Sequence, residues 1–425
     1  MRTNISWAFA GNSAYAGCQW MVFVLLVRSL HLGEAGQFAY WIAVTGPVFI
    51  LANVRLRNLV ATDAGSSRDF SDYLKARLLT TAAAVAVALL IGARLSADHR
   101  AFAIAALIAS ARACDAISDI CHGLFQRELD MRTAAIGLMI NGILSVALVG
   151  VSLRMWPSLP AAAGMYAAGS LLALVGWDLP HMRKTAHACG GSIAMAGGLR
   201  AVWDLIRRAL PLGFSSAVGS LQINLPRYVV AVYLGPAALA VFSALTYVPT
   251  LGNLIANAVA QAALPVLARD LQMSRTVYAR RLRILVQSGV ALGAASVAAA
   301  ALLGRSLVTA IYSAQVAAHI DVLIWLMIAA ALSYSFLFLG TALTARLRFG
   351  TQLLISTGAL LTVASCVIPL VQRYGLRGGA YALCAGGVVE GCAYAAVTVH
   401  DFRAHARLRA VAPGVLADAC AGELA

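Results

Sequence analysis

The chain has 425 residues, 61% hydrophobic and 12% charged, with a formal net charge of +15 and a mean hydropathy of +0.81. Soluble domains hold about 45–50% apolar and about 25% charged residues, so this composition excludes one and points to an all-α polytopic membrane protein. Its apolar runs are continuous over about 20 residues and do not alternate, which argues against a β-barrel.

Twelve transmembrane spans can be read, at about 7–27, 36–56, 78–95, 101–122, 133–153, 159–179, 209–232, 237–264, 284–303, 319–343, 351–371 and 378–399. The first carries Asn12, Ser13 and Gln19 and runs into Arg28 without a small-residue cleavage site, so it reads as a span and not a removable signal. The second carries Thr45, Pro47 and Asn53, with Arg57 just beyond it.

The fourth span holds Arg112, Asp115, Asp119 and His122, whose spacings of three, four and three residues place them on one helix face. An arginine at the centre of a bilayer helix costs about 2.5–3.5 kcal/mol on insertion scales. Two offsets are open: an internal ion pair of Arg112 with Asp115, or an anionic ligand in a wet cavity. Asp178 at the end of the sixth span reads as solvated.

A polar, Gly-containing stretch at 181–208 separates an N-terminal six-helix lobe (1–180) from a C-terminal one (209–400), followed by a cytoplasmic tail (401–425). The seventh span holds Ser216, Ser220, Gln222, Asn224 and a second intramembrane arginine, Arg227. In the eighth, Asn253, Asn257 and Gln261 recur every fourth residue and share a face. A shift of 204 residues superimposes Phe38 on Phe242, Asn53 on Asn257 and Arg57 on Gln261, a weak internal repeat of parallel topology. Transporters built from two such halves hold substrate between them. Each polar residue taken alone also fits an ordinary helix–helix hydrogen bond. Four equivalent spans together favour a cavity lining. In the twelfth span Glu390 stands alone in GGVVEGCAYAAV. With Asp115 and Asp119 it is a candidate for proton or sodium coupling.

With the N-terminus inside, twenty-three of the 32 Lys and Arg residues fall in cytoplasmic segments and seven in outer loops. That bias puts both termini in the cytoplasm. The inner segments include Arg55, Arg57 and Arg77. The surplus of positive charge is accounted for by topology and anionic lipid, so no nucleic-acid partner is expected. The eight cysteines lack CxxC or His-paired spacing, so no metal or disulfide framework is expected. No Walker motif, GxSxG or HExxH appears. The expectation is a transporter without a cofactor, and not an enzyme.

FVLLVRSLHLGEAGQFAY resembles the first-to-second span junction of Wzx-type polysaccharide-unit flippases, the O-antigen and exopolysaccharide translocases of the multidrug/oligosaccharidyl-lipid/polysaccharide exporter superfamily. The matching positions are Arg28, Leu32-Gly33 and Gly36-Gln37-Phe38-Ala39. LPRYVVAVYLGPAALAVFSA is similar to the second-half junction, with Arg227 and Leu234-Gly235-Pro236 in place and Ala240 where a glycine is usual. The resemblance implies two pseudo-symmetric six-helix lobes around a central cationic cavity. It also implies an undecaprenyl-pyrophosphate-linked oligosaccharide as substrate, with a polysaccharide polymerase and glycosyltransferases as partners in the bacterial cytoplasmic membrane. On that expectation Arg112, Arg227 and Arg57 bind pyrophosphate or acidic sugars. Asn12, Gln19, Asn53, Gln222, Asn224, Asn253, Asn257 and Gln261 bind sugar hydroxyls. The alternatives are an ion-coupled multidrug exporter of the same superfamily and a membrane-embedded glycosyltransferase or polymerase. The latter class needs a large catalytic outer loop, and no outer loop here is long enough.

Overall fold

The computed structural model describes residues 2–62, 70–96, 98–188, 199–346 and 348–411. Among these every regular element is helical. The N-terminal lobe comprises α1 (Arg2–Ser29), α2 (Leu32–Asn53), the short α3 (Leu56–Thr62), α4 (Phe70–Leu95), α5 (His99–Arg127), α6 (Met131–Met155) and α7 (Leu159–Ala173). A π-turn at Leu174–Asp178 joins α7 to α8 (Leu179–Ala188).

The C-terminal lobe begins with α9 (Leu199–Met273), whose 75 residues are broken at Gly235, φ 84° and ψ 175°. This conformation is open to glycine and closed to side-chain-bearing residues. It divides α9 into a first limb (199–234) and a second limb (236–273). Then follow α10 (Arg275–Ile311), α11 (Ala314–Ala317), α12 (Ile320–Ala345), α13 (Phe349–Tyr374) and α14 (Leu376–Val411). Among the described residues eleven helical stretches are long and apolar enough to cross a membrane, one of them spanning both limbs of α9. With the Gly235 break the chain makes twelve crossings in two groups of six.

Two differences from the sequence expectation bear on the site. The third span starts at Phe70 and not at 78, because Phe70, Tyr73 and Ala76 pack inward at helical spacing. Arg77 therefore lies inside a helix and is fully buried, not in a solvated loop. Asp178 is also enclosed, at 1% exposure, and not solvated.

The largest apolar core joins both lobes at one end of the bundle. There Phe23, Leu26 and Phe38 pack with Val230, Phe242 and Val316. Gly36 lies against the backbone carbonyl of Pro236, where any Cβ would collide with it. The junction of α1 with α2 thus seats directly on the junction of the two α9 limbs. Polar contacts reinforce this end. Trp20 donates from Nε1 to the Tyr312 hydroxyl at 2.7 Å, and Tyr312 donates on to the Ala244 carbonyl at 3.1 Å. Arg28 donates to the carbonyls of Tyr312, at 3.3 Å, and Ala310, groups that the end of α10 leaves without helical partners. Toward the opposite end the apolar clusters separate. One holds N-lobe residues and the start of α9, and another holds α10, α12, α13 and α14.

Candidate functional site

Two cavities carry most of the polar residues singled out from the sequence. The first has a volume of about 360 Å³ and lies between α1, α2, α5 and α6 of the N-lobe and the first limb of α9. Arg57, Arg112, Asp115, Asp119, Asn53, Asn224 and Arg227 all line it. At 1.5 Å per residue, Arg227 lies roughly 12 Å along its helix from Gly235, and Arg112 roughly 20 Å from the start of α5. The guanidinium groups therefore occupy successive depths below the joined end.

The expected ion pair of Arg112 with Asp115 does not form. Among the described residues no carboxylate lies within 4.0 Å of Arg112, and its Nε is buried without a hydrogen-bond partner. Asp115 instead accepts from Asn141 Nδ2 at 2.9 Å and from the Tyr15 hydroxyl at 3.4 Å. Arg227 donates to Asn224 Oδ1 at 2.9 Å and to Thr246 Oγ1 at 3.0 Å, both neutral groups. Tyr247 lies near both arginines, joining Tyr166, Asp115 and Tyr15 around Arg112. It also packs its ring 5.3 Å from that of Phe23 in the inter-lobe core. Sequence reading passed over Tyr247 because an aromatic on an apolar span looks like any other core residue.

At the other end of this cavity Asp119 is bound by two arginines, Arg77 Nη2 at 2.9 Å and Arg57 Nη1 at 3.4 Å. Arg77 also contacts Asn53 Oδ1. His122 lines the cavity, and its Nε2 lies 3.1 Å from Asp178 Oδ1 in a buried pair. The π-turn brings Asp178 to this face, since one extra residue in a turn rotates those after it.

Between α2 and α3, Val54 and Arg55 adopt φ of 36° and 50°. This left-handed region is rare for side-chain-bearing residues and strained for a β-branched one. The break sends two nearby cations to different places. Arg57 lines the first cavity and Arg55 the second. Arg55 donates from Nε to Ser216 Oγ at 2.7 Å.

The second cavity, about 530 Å³, lies among the second limb of α9, α12, α13 and α14. Asn253, Asn257, Gln261 and Glu390 line it, along with Gln352 and Tyr394. Gln222 donates from Nε2 to Glu390 Oε2 at 3.4 Å. The repeat is visible here: Asn53 and Arg57 line one cavity, and their counterparts at a shift of 204, Asn257 and Gln261, line the other. Three candidates line neither cavity: Gln222, which touches the second only through its bond to Glu390, Asn12 and Gln19. Asn12 is exposed and donates to the Ala8 carbonyl at 2.7 Å. Gln19 accepts from the Tyr166 hydroxyl at 2.9 Å.

The family model described as polysaccharide biosynthesis protein matches residues 1–270. The chain belongs to this family. The capsular polysaccharide biosynthesis protein CapF of Staphylococcus aureus is 24% identical over 382 residues, covering 89% of this chain and 94% of CapF. Among solved structures, a multidrug resistance MATE family transporter of the MOP superfamily in its inward-facing conformation aligns with a TM-score of 0.75 at 14% identity. That alignment covers 92% of this chain and 98% of the transporter. The lipid II flippase MurJ, in an inward closed conformation, aligns at 0.72 and 13% identity, over 90% of this chain and 85% of MurJ. The two-lobe, twelve-crossing fold of this polysaccharide biosynthesis protein is thus shared with transporters of that superfamily.

Proposed function

We propose that this protein is a flippase. It moves an undecaprenyl-pyrophosphate-linked oligosaccharide from the inner to the outer leaflet of the bacterial cytoplasmic membrane by alternating access, for surface polysaccharide biosynthesis. The observation that carries this reading is the convergence of Arg112 and Arg227 on one cavity, neither with a carboxylate within 4.0 Å among the described residues. Two desolvated cations without a close counter-ion are a costly arrangement that an anionic ligand relieves. A pyrophosphate offers several acceptor oxygens, which planar guanidinium groups match in pairs.

In this reading both termini are cytoplasmic and the joined end of the bundle faces outward. Substrate then enters from the cytoplasmic side, past Arg57, and its pyrophosphate climbs to Arg112 and Arg227. Asp115 and Glu390, which have no cation within 4.0 Å among the described residues, are the carboxylates open to a coupling proton or sodium ion. A cationic drug, the cargo of a multidrug exporter, would be repelled by the two unpaired arginines. The test is deletion of the gene in its host. Lipid-linked repeat units accumulate on the inner leaflet and surface polysaccharide is lost. Normal surface polysaccharide in the deletion strain, with no other flippase present, would overturn the reading.

A further inference from the structure

The two cavities differ in which charged group stands without an ion pair. In the first, neither Arg112 nor Arg227 has a carboxylate within 4.0 Å among the described residues, though Asp115 attracts Arg112 from farther off. In the second, the carboxylate is Glu390, and among the described residues no Lys, Arg or His lies within 4.0 Å of it. Among the described residues its one hydrogen bond, from Gln222, is long at 3.4 Å. Arg55, the cation among the lining residues, is turned to Ser216. The remaining polar lining consists of amides and hydroxyls, which both donate and accept. Asn253, Asn257, Gln261 and Gln352 supply the amides. The cavity's 530 Å³ falls in the range of small-ligand sites, about 300–1,000 Å³.

From this we infer that the second cavity is the glycan subsite and that Glu390 selects a glycan bearing a free amino group. The inference rests on the flippase reading and adds a substrate class to it. A partly buried carboxylate without a close counter-ion is unfavourable. An ammonium group on a sugar ring supplies that counter-ion and forms charge-assisted hydrogen bonds to both oxygens. A uronic acid in the same place meets like charge at short range in a low-dielectric space. The amides around it bind the neighbouring hydroxyls whatever the charge. The substrate is thereby read twice, as an anion by the arginines of one cavity and as a cation by the carboxylate of the other.

The test uses the full-length protein in lipid nanodiscs and measures binding of prenyl diphosphate alone and of prenyl-diphosphate disaccharides. These differ at one position: free amine, N-acetylated amine or uronate. The same three disaccharides as methyl glycosides read the second cavity without the diphosphate. The expected result is binding of the free amine about tenfold tighter than the N-acetyl form, with the uronate weakest. Glu390→Gln, nearly isosteric, erases this order and leaves prenyl diphosphate binding unchanged, which also reports an intact fold. Equal binding of the three glycosides by the unaltered protein overturns the inference. So does an amine preference that survives in Glu390→Gln. Loss of transport of all three substrates alike in that variant, with no change in binding order, assigns Glu390 to ion coupling and also overturns it. Prenyl diphosphate binding that is absent, or indifferent to Arg112→Ala, counts against the flippase reading instead, and the glycoside series still decides the role of Glu390.

Discussion

Arg77, wholly enclosed in the N-lobe, donates from Nη2 to Asp119 Oδ2 at 2.9 Å. Arg57 approaches the other oxygen of the same carboxylate at 3.4 Å. Asp119 therefore holds two cations in place at the end of the first cavity away from Gly235. Of the three carboxylates that stand out in the spans, it is the one already neutralised.

Asp119→Ala leaves the Arg77 guanidinium buried without a counter-ion. Breaking a buried pair this way costs about 3–5 kcal/mol. The lower figure is expected here, since the Asp119 side chain is 31% exposed and partly solvated. Removing both charges in Arg77→Met/Asp119→Leu costs less than the sum of the single changes. Thermal unfolding in detergent measures all three. Additive losses would show that the pair does not couple the two helices.

Gly36 and Gly33 make a matched pair in one helix. A Cβ on Gly36 collides with the Pro236 carbonyl, whereas one on Gly33 meets nothing within 4 Å. Gly36→Ala is expected to push the lobes apart at this end and to lower both thermal stability and transport. Gly33→Ala leaves both near the unaltered level. Surface polysaccharide in a complemented strain and the unfolding temperature in detergent report the difference.

The Tyr312 hydroxyl links Trp20 of one lobe to the Ala244 carbonyl in the other. Tyr312→Phe removes both bonds, each worth about 1 kcal/mol net. If the joined end is a gate, the open population rises about fivefold or more. A cysteine placed at Asn224, inside the first cavity, then reacts correspondingly faster with a membrane-impermeant thiol reagent added outside. An unchanged rate would mean that these bonds do not hold the gate.

The apolar runs made the twelve crossings and the two lobes legible, because continuous hydrophobicity over a bilayer's thickness has no other use. The cavity was less legible. Arg77 was hidden because FSDYLKAR reads as a polar loop by average hydropathy, although Phe70, Tyr73 and Ala76 already mark a buried helical stripe. Asp178 depends on a π-turn, a change of helical register with no signature in the residues. The pairing of Arg112 with Asp115 followed from their spacing. Spacing does not show that Tyr15 and Asn141, from other helices, occupy the carboxylate first. Asn12 and Gln19 were grouped with the cavity residues because they are polar, and only packing reveals that Asn12 bonds to its own helix and that Gln19 is engaged by Tyr166.

The central claim is that Arg112 holds the pyrophosphate of a lipid-linked glycan. The most direct measurement is complementation of the deletion strain with Arg112→Ala, inserted in the membrane at the unaltered level, scored by lipid-linked repeat units on each leaflet. Repeat units are expected to remain on the inner leaflet with the alanine variant, and Arg112→Lys to restore part of the outward movement. Full outward movement with Arg112→Ala would contradict it.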